Sequence, residues 1–368
     1  MTAELQDRVQ AAIDGLVRDG AEVGLQVAVL HRGELVVDAV AGTRDAARSE
    51  PVEPDTLFWS ASAVKGIAST VAHVLAERGE LTYDLRAADV WPEFARHGKD
   101  DITLRHVLLH TAGVPAPPYD TTVEQLCDWE HMCAVLADAE PWWPAGTRFG
   151  YHAQTFGFLL GEIVRRATGR TIRWWLREAV TEPLGVAGDV HFGVPEPLLG
   201  RVAHQHRPPT PRPRPKPGSP ADRALPPGLF FDADAANRRD VLTSDIPSIG
   251  TMSAGGAARV YGALLGPVDG VRLVEPERLA TIAAVTYEGL DEVMNVPSAW
   301  AFGFGPHRPP GGAPSRPGSV FGTLGANGSA AYADIDSGVA VAVLRNLFSV
   351  DWTAAATVDR LVADAFSG

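Results

Sequence analysis

A chain of 368 residues with 45% hydrophobic and 21% charged residues has ample material for a buried core, which excludes a disordered or collagen-like protein. The 32 basic and 45 acidic residues leave a net charge of −13, so a nucleic-acid partner would meet repulsion instead of a basic footprint. Only Lys65, Lys99 and Lys216 are lysines; the other basic residues are arginines.

In residues 1–20, Leu5, Val9, Ile13 and Leu16 recur at helical spacing among charges, the pattern of an amphipathic helix and not of a signal peptide. No window reaches the roughly 18 to 20 uninterrupted apolar residues that a membrane span needs, so the expectation is a cytoplasmic chain without a membrane partner. Residues 24–31 and 35–41 flank the polar break Arg32-Gly33-Glu34 and read as a β-hairpin. Over 62–78 the pattern turns helical, with Val64, Ile67, Ala68, Val71, Val74 and Leu75 on one stripe and Gly79 as the stop. Further helices are predicted at 103–109, 122–138, 155–168 and 171–180. Cys127 and Cys133, six apart, suit neither a disulfide on one helix nor a zinc site.

Residues 207–220 hold seven prolines and cannot form a helix or a central strand. The tract is either a ligand for a partner domain or a long surface excursion, and the excursion is favoured. His204 and His206 beside it are expected in solvent. A second Pro/Gly-rich loop, 308–318, separates strand-like 299–305 from 319–323; strands at 329–334 and 338–345 and a helix at 352–366 close the chain. Strands near both ends with helices between them predict an α/β fold. Its sheet domain would comprise 1–61 and 245–368, and 62–244 would be a mostly helical region carrying the proline-rich loop.

Ser62 and Lys65 open the first long helix at i and i+3, on one face and about 4.5 Å apart in axial rise. A serine hydroxyl needs a base to become a nucleophile, and a desolvated lysine can lose its charge and serve as one, whereas arginine cannot. The Ser62 N–H, at the helix start, stays outside the ladder and is available to an oxyanion. Serine as a helix cap and lysine as a solvated charge is the competing reading, which the scarcity of lysine weakens. Downstream, His106 and His110 precede Thr111-Ala112-Gly113 at a helix end, where packing and dipole roles outweigh catalysis. Tyr151, in a loop before the amphipathic helix of Phe158, Leu159, Ile163 and Val164, is either a packing residue or a second proton carrier.

Together, residues 58–65, 102–113 and Tyr151 with 157–162 resemble the serine β-lactamase and penicillin-binding-protein-like superfamily, in its class C-like, family VIII carboxylesterase branch. The resemblance implies a β-lactamase-like antiparallel sheet flanked by helices. It makes Ser62 the acylated nucleophile, with Lys65 and Tyr151 sharing its proton. The third motif falls on residues 321–328, where Thr323, Gly325 and Ala326 would face the substrate and the Ala326 N–H would complete the oxyanion hole. Two positions depart from the family pattern. Tyr151-His152-Ala153 lacks the usual asparagine, with His152 a candidate substitute donor, and Thr323 replaces a lysine or histidine, which disfavours substrates with an obligatory carboxylate there.

The resulting expectation is a serine hydrolase of esterase type that acts through an acyl-serine on a small ester or thioester, with no metal and no cofactor. An acyltransferase that passes the acyl group to an amine or alcohol is the alternative; a β-lactamase or a silent binding protein ranks below both. An α/β-hydrolase elbow at Ser253 fails because residues 245–250 do not read as a strand, and 302–305 lacks the third glycine of a dinucleotide loop.

Overall fold

The computed structural model describes residues 2–366. Helix α1 (Thr2–Arg18) buries Leu5, Val9 and Ile13 and leads into the antiparallel strands β1 (Gly24–His31) and β2 (Glu34–Gly42). Strand β3 (Phe58–Trp59) passes through a 3₁₀ turn, Ala61–Val64, into α2 (Lys65–Glu77). Ser62 therefore lies in a tighter turn ahead of the helix predicted to contain it. The stretch 122–138 divides into Val123–Leu126 and Trp129–Asp138, because Asp128 is extended and its carboxylate accepts the His131 N–H, capping a new helix. Helix α3 (Thr155–Thr168) matches its predicted bounds. The stretch 171–180 begins as Ile172–Trp175 and widens into a π turn at Leu176–Thr181.

Beyond β4 (Val190–His191) and β5 (Thr251–Met252) come α4 (Ala254–Leu265) and the hairpin of β6 (Val285–Asp291) and β7 (Val296–Ala301). The predicted strand 299–305 thus begins earlier and ends at Ala301. Strands β8 (Val320–Leu324), β9 (Ala330–Asp334) and β10 (Val339–Arg345) then precede α5 (Thr353–Phe366).

The main sheet is antiparallel, in the order β2-β1-β10-β9-β8. Its two faces follow from the alternation of side chains along a strand. Val27, Val29, Val341 and Val343 pack beneath α1 and α5 with Val9, Ile13 and Val358, whereas Ala28, Ala340 and Ala342 belong to the core shared with α4. Small residues on that second face let α4, itself rich in Gly and Ala, approach closely. Each fully buried valine or isoleucine contributes about 1.5–3 kcal/mol, so a charged residue at Val9 would open the terminal layer.

A second, three-stranded sheet, β3-β5-β4, carries the turn containing Ser62. Residues 207–216 run without helix or strand, as the prolines require. His206 corrects an expectation, since it is buried and its N–H donates to the Asn346 carbonyl (2.6 Å). Among the described residues no helix is long and apolar enough to cross a membrane.

Candidate active site

The turn holding Ser62 is fixed from behind. Both the N–H and the hydroxyl of Ser60 donate to the Gly250 carbonyl, at 2.8 and 3.0 Å, tying the turn to the approach to β5. Ala61 adopts φ 48°, a left-handed conformation that costs a non-glycine residue on the order of 1–3 kcal/mol and persists only where neighbours enforce it. Ser62, next in line, is partly exposed, while Ala61, Ala63 and Val64 are buried.

Lys65 is buried, and its Nζ donates to Ser62 Oγ (2.8 Å) and to the Ser248 carbonyl (2.8 Å). Burial pushes the Lys65 ammonium well below its ordinary value. Lys99 shows the contrast: its ammonium donates to three carbonyls, of Arg96, Ala137 and Ala139, and so has every proton occupied as a structural cation. The Ser69 hydroxyl, also one turn from Lys65, donates to the Gly303 carbonyl (2.9 Å) and faces away from this pair.

Tyr151 completes the group. Lys65 Nζ lies 5.2 Å from the centre of its ring. Burial pushes the phenol up to about 12, and a hydrogen-bond interaction with Ser62 opposes the shift. The loop is held on both sides. The Tyr151 N–H donates to Asp291 Oδ1 (3.2 Å), which also accepts from Val293 and Met294, and the Gly150 N–H donates to the His110 carbonyl (3.1 Å). His110 Nδ1 accepts the His152 N–H (3.1 Å), and the His110 ring packs on Tyr151 at 4.8 Å. His110 thus positions the tyrosine loop, a role beyond the helix-end packing expected of it. His106 instead caps its own helix, accepting the Thr103 N–H through Nδ1.

Two of the expected substrate-facing side chains turn elsewhere. The His152 ring is buried, with Nδ1 donating to the Gly150 carbonyl (2.6 Å) and Nε2 accepting the Val114 N–H (3.1 Å), so both nitrogens serve the loop backbone. Burial lowers its pKa to about 4, consistent with the neutral ring these bonds require. Thr323 Oγ1 donates to the Ala63 carbonyl (2.7 Å), accepts the Gly66 N–H (3.1 Å) and meets the Tyr261 hydroxyl (3.1 Å). It pins strand β8 to the helix start. In this structure the polar atoms of both side chains are therefore engaged within the protein and not presented to the cavity.

The end of β8 closes on the turn that holds Ser62 through Gly325. A Cβ there would lie 2.3 Å from the Ser60 carbonyl oxygen, so only glycine permits this approach, and the Gly325 N–H is already used by the Ser329 carbonyl (2.8 Å). Gly325 is therefore a spacer and not a donor. Asn327 Nδ2 reinforces the closure by donating to the Trp59 carbonyl (2.9 Å). Ala326, between these two, lines the same cavity as Ser62 and Tyr151, and its N–H has no partner among the described residues.

That cavity is narrow, about 100 Å³, and its walls are apolar, with Trp59, Leu229, Phe231, Ile249 and Phe348 among them. Trp59 stacks on Phe231 and on Phe348, with ring centres 6.1 and 5.6 Å apart. Ala153 faces the cavity where an asparagine would stand, and the neighbouring Gln154 brings a carboxamide whose Oε1 has no partner. Sequence reasoning missed Gln154, Asp291 and Arg212. Asp291 lies in a span without motif, and Arg212 lies in the proline tract, where only an arginine set between two prolines could have marked it. Among the described residues no group of three or more His, Cys, Asp or Glu side chains is placed to hold a metal ion. Ser253, the rejected elbow serine, caps α4 by accepting the Gly256 N–H (3.0 Å).

A beta-lactamase family model matches residues 9–364. Esterase/beta-lactamase LipL of Mycobacterium tuberculosis (strain ATCC 25618 / H37Rv) is 33% identical over 337 residues, spanning 88% of this chain and 77% of LipL. The crystal structure of a family VIII carboxylesterase superposes with a TM-score of 0.88 at 31% identity, covering 98% of this chain and 97% of that one. A penicillin-binding protein homolog from Caulobacter crescentus gives 0.86 at 34% identity, covering 99% and 97%. The expected antiparallel sheet and flanking helices agree with these neighbours, and the chain belongs to the beta-lactamase family.

Proposed function

We propose that this protein is a serine esterase that works through an acyl-Ser62 intermediate on small esters or thioesters. The observation that carries the reading is the 2.8 Å contact from Lys65 Nζ to Ser62 Oγ, made by a buried amine that burial drives toward its neutral form, at the end of a narrow apolar cavity. The opposite shifts of the two proton carriers divide their work: Lys65 is the base, and Tyr151, held protonated, is the acid.

In acylation, Ser62 Oγ passes its proton to Lys65 and bonds to the carbonyl carbon, while the new oxyanion takes the N–H groups of Ser62 and Ala326. Collapse breaks the bond to the leaving alcohol or thiol, which receives the Tyr151 proton, and the Lys65 ammonium restores that proton. Water then attacks the acyl-serine, giving its proton to the same relay; the carbon–Oγ bond breaks and Ser62 is reprotonated. An alcohol or amine in place of water would give the transferase reaction through the same steps. Similarity to the esterase/beta-lactamase LipL and to the family VIII carboxylesterase supports the ester substrate class.

The test is intact-mass and burst analysis with p-nitrophenyl butyrate, with Ser62→Ala alongside. A burst and a mass increase of one butyryl group, both lost in the variant, are expected. Equal turnover by Ser62→Ala would overturn the mechanism. Added alcohols or amines that yield a coupled product would move the assignment to acyl transfer.

A further inference from the structure

The proline-rich segment delivers one side chain to the catalytic cavity, that of Arg212. The same side chain, with Phe231 and Phe348, also lines an adjoining outer chamber of about 460 Å³, so Arg212 stands where the two spaces meet. Its guanidinium lies over the Phe230 ring at 3.9 Å, and its Nε is buried without a hydrogen-bond partner.

The neighbouring charges are compensated. Arg207 pairs with Asp234, and Arg214 reaches Asp222 at 3.4 Å. Asp232, on the chamber wall, accepts the Ala235 N–H (3.0 Å) as a helix cap. Of the three arginines on the chamber wall, Arg212 is the one without a carboxylate within ion-pair distance among the described residues. Burial is the one influence acting on its pKa, downward, and an arginine stays charged regardless. A partly buried guanidinium is costly without an anion, and its planar fork matches a carboxylate in two parallel bonds.

The structure assigns Arg212 the recognition of a substrate carboxylate, which makes the preferred acyl donors esters that bear a free carboxylate at a distance from the scissile bond. This rests on the esterase reading and adds the substrate class. The positive charge missing at Thr323 is thus supplied from a different part of the fold. The two prolines that flank Arg212 restrict its backbone and reduce the entropy lost when the charge is held in place.

The experiment compares p-nitrophenyl hydrogen glutarate, which carries the carboxylate on the acyl half, with p-nitrophenyl valerate. It also compares 4-carboxyphenyl butyrate, with the carboxylate on the leaving group, with 4-acetylphenyl butyrate. Wild type, Arg212→Met, Arg212→Lys and the exposed control Lys216→Met are assayed. For at least one pair, the ratio of kcat/KM for the anionic over the neutral ester should fall about tenfold or more in Arg212→Met, recover in part in Arg212→Lys, and hold in Lys216→Met. The pair that responds identifies the half of the substrate that carries the anion. Unchanged ratios in both pairs would overturn the proposal, because an arginine that only anchors the segment on Phe230 affects charged and neutral esters alike. Failure of the esterase reading is distinct: it would appear as the absence of Ser62-dependent turnover with every ester, the neutral ones included.

Discussion

The turn at Ala61–Val64 and the segment 207–217 face one cavity but are held in different ways. Around Ser62 the backbone is clamped by Ser60 on Gly250, by Gly325 against the Ser60 carbonyl and by Thr323 on the turn and the start of α2. The segment over the cavity has no ladder, and ring stacking and peripheral ion pairs hold it in place. Proton transfer at 2.8 Å tolerates little displacement, whereas recognition of a distant substrate group can be carried by a replaceable surface segment. Chemistry therefore resides in the clamped part and selectivity in the strapped part. Substitutions that remove or displace the reacting groups of the first should lower kcat for every ester, and substitutions in the second should move ratios between esters.

The strongest challenge to this division is Lys65→Met. Loss of the base should lower kcat for all esters by about 10²–10⁴-fold. It should also stabilise the fold. Lys65 resists a proton that the unfolded chain binds up to the ordinary value of 10.5, so wild-type stability rises with pH toward that value and the variant's advantage is greatest at lower pH. In the wild type, kcat/KM should rise as pH passes upward through the depressed Lys65 pKa, and any alkaline decline should be centred on the Tyr151 ionisation, raised to about 12. A pH–rate profile and thermal unfolding check both. A variant that is inactive and also less stable would mean that Lys65 is a structural cation like Lys99.

Next in size is Gly325→Ala. The added methyl meets the Ser60 carbonyl oxygen and must push the end of β8 off the nucleophile turn. Displacement of the Ala326 N–H should cost about 10²-fold in kcat, and overpacking about 1–3 kcal/mol in stability, read by kinetics and denaturant titration. The anionic-to-neutral ratio set by Arg212 should be retained in the residual activity. If that ratio collapsed as well, the two regions would not be separable.

Much of the clamped half is legible in the amino-acid sequence. The runs 24–31 and 338–345 read as strands, and the spacing of Ser62 and Lys65 puts them on one face, because such local patterns survive folding unchanged. What eludes the sequence depends on non-local contacts. The orientation of Thr323 is decided by Tyr261, Gly66 and Ala63, and the ring of His152 is captured by Val114 and Gly150. Proline composition likewise predicts an irregular excursion at 207–220 without saying what it covers, since an irregular segment has no periodicity from which a facing side can be read.

Thr323→Val gives the smallest effect. The substitution keeps the shape but removes the hydroxyl, leaving the Gly66 N–H and the Ala63 carbonyl without this partner in a buried place. An unsatisfied buried group costs about 1–3 kcal/mol, which should appear as a lower unfolding midpoint. Because Thr323 Oγ1 points at the helix and not into the cavity, ester turnover should change by less than about threefold and the charge preference should not change. A variant of unaltered stability that lost preference for carboxylate-bearing esters would place Thr323 back in contact with substrate. The recognition assigned to Arg212 would then have to be shared with strand β8.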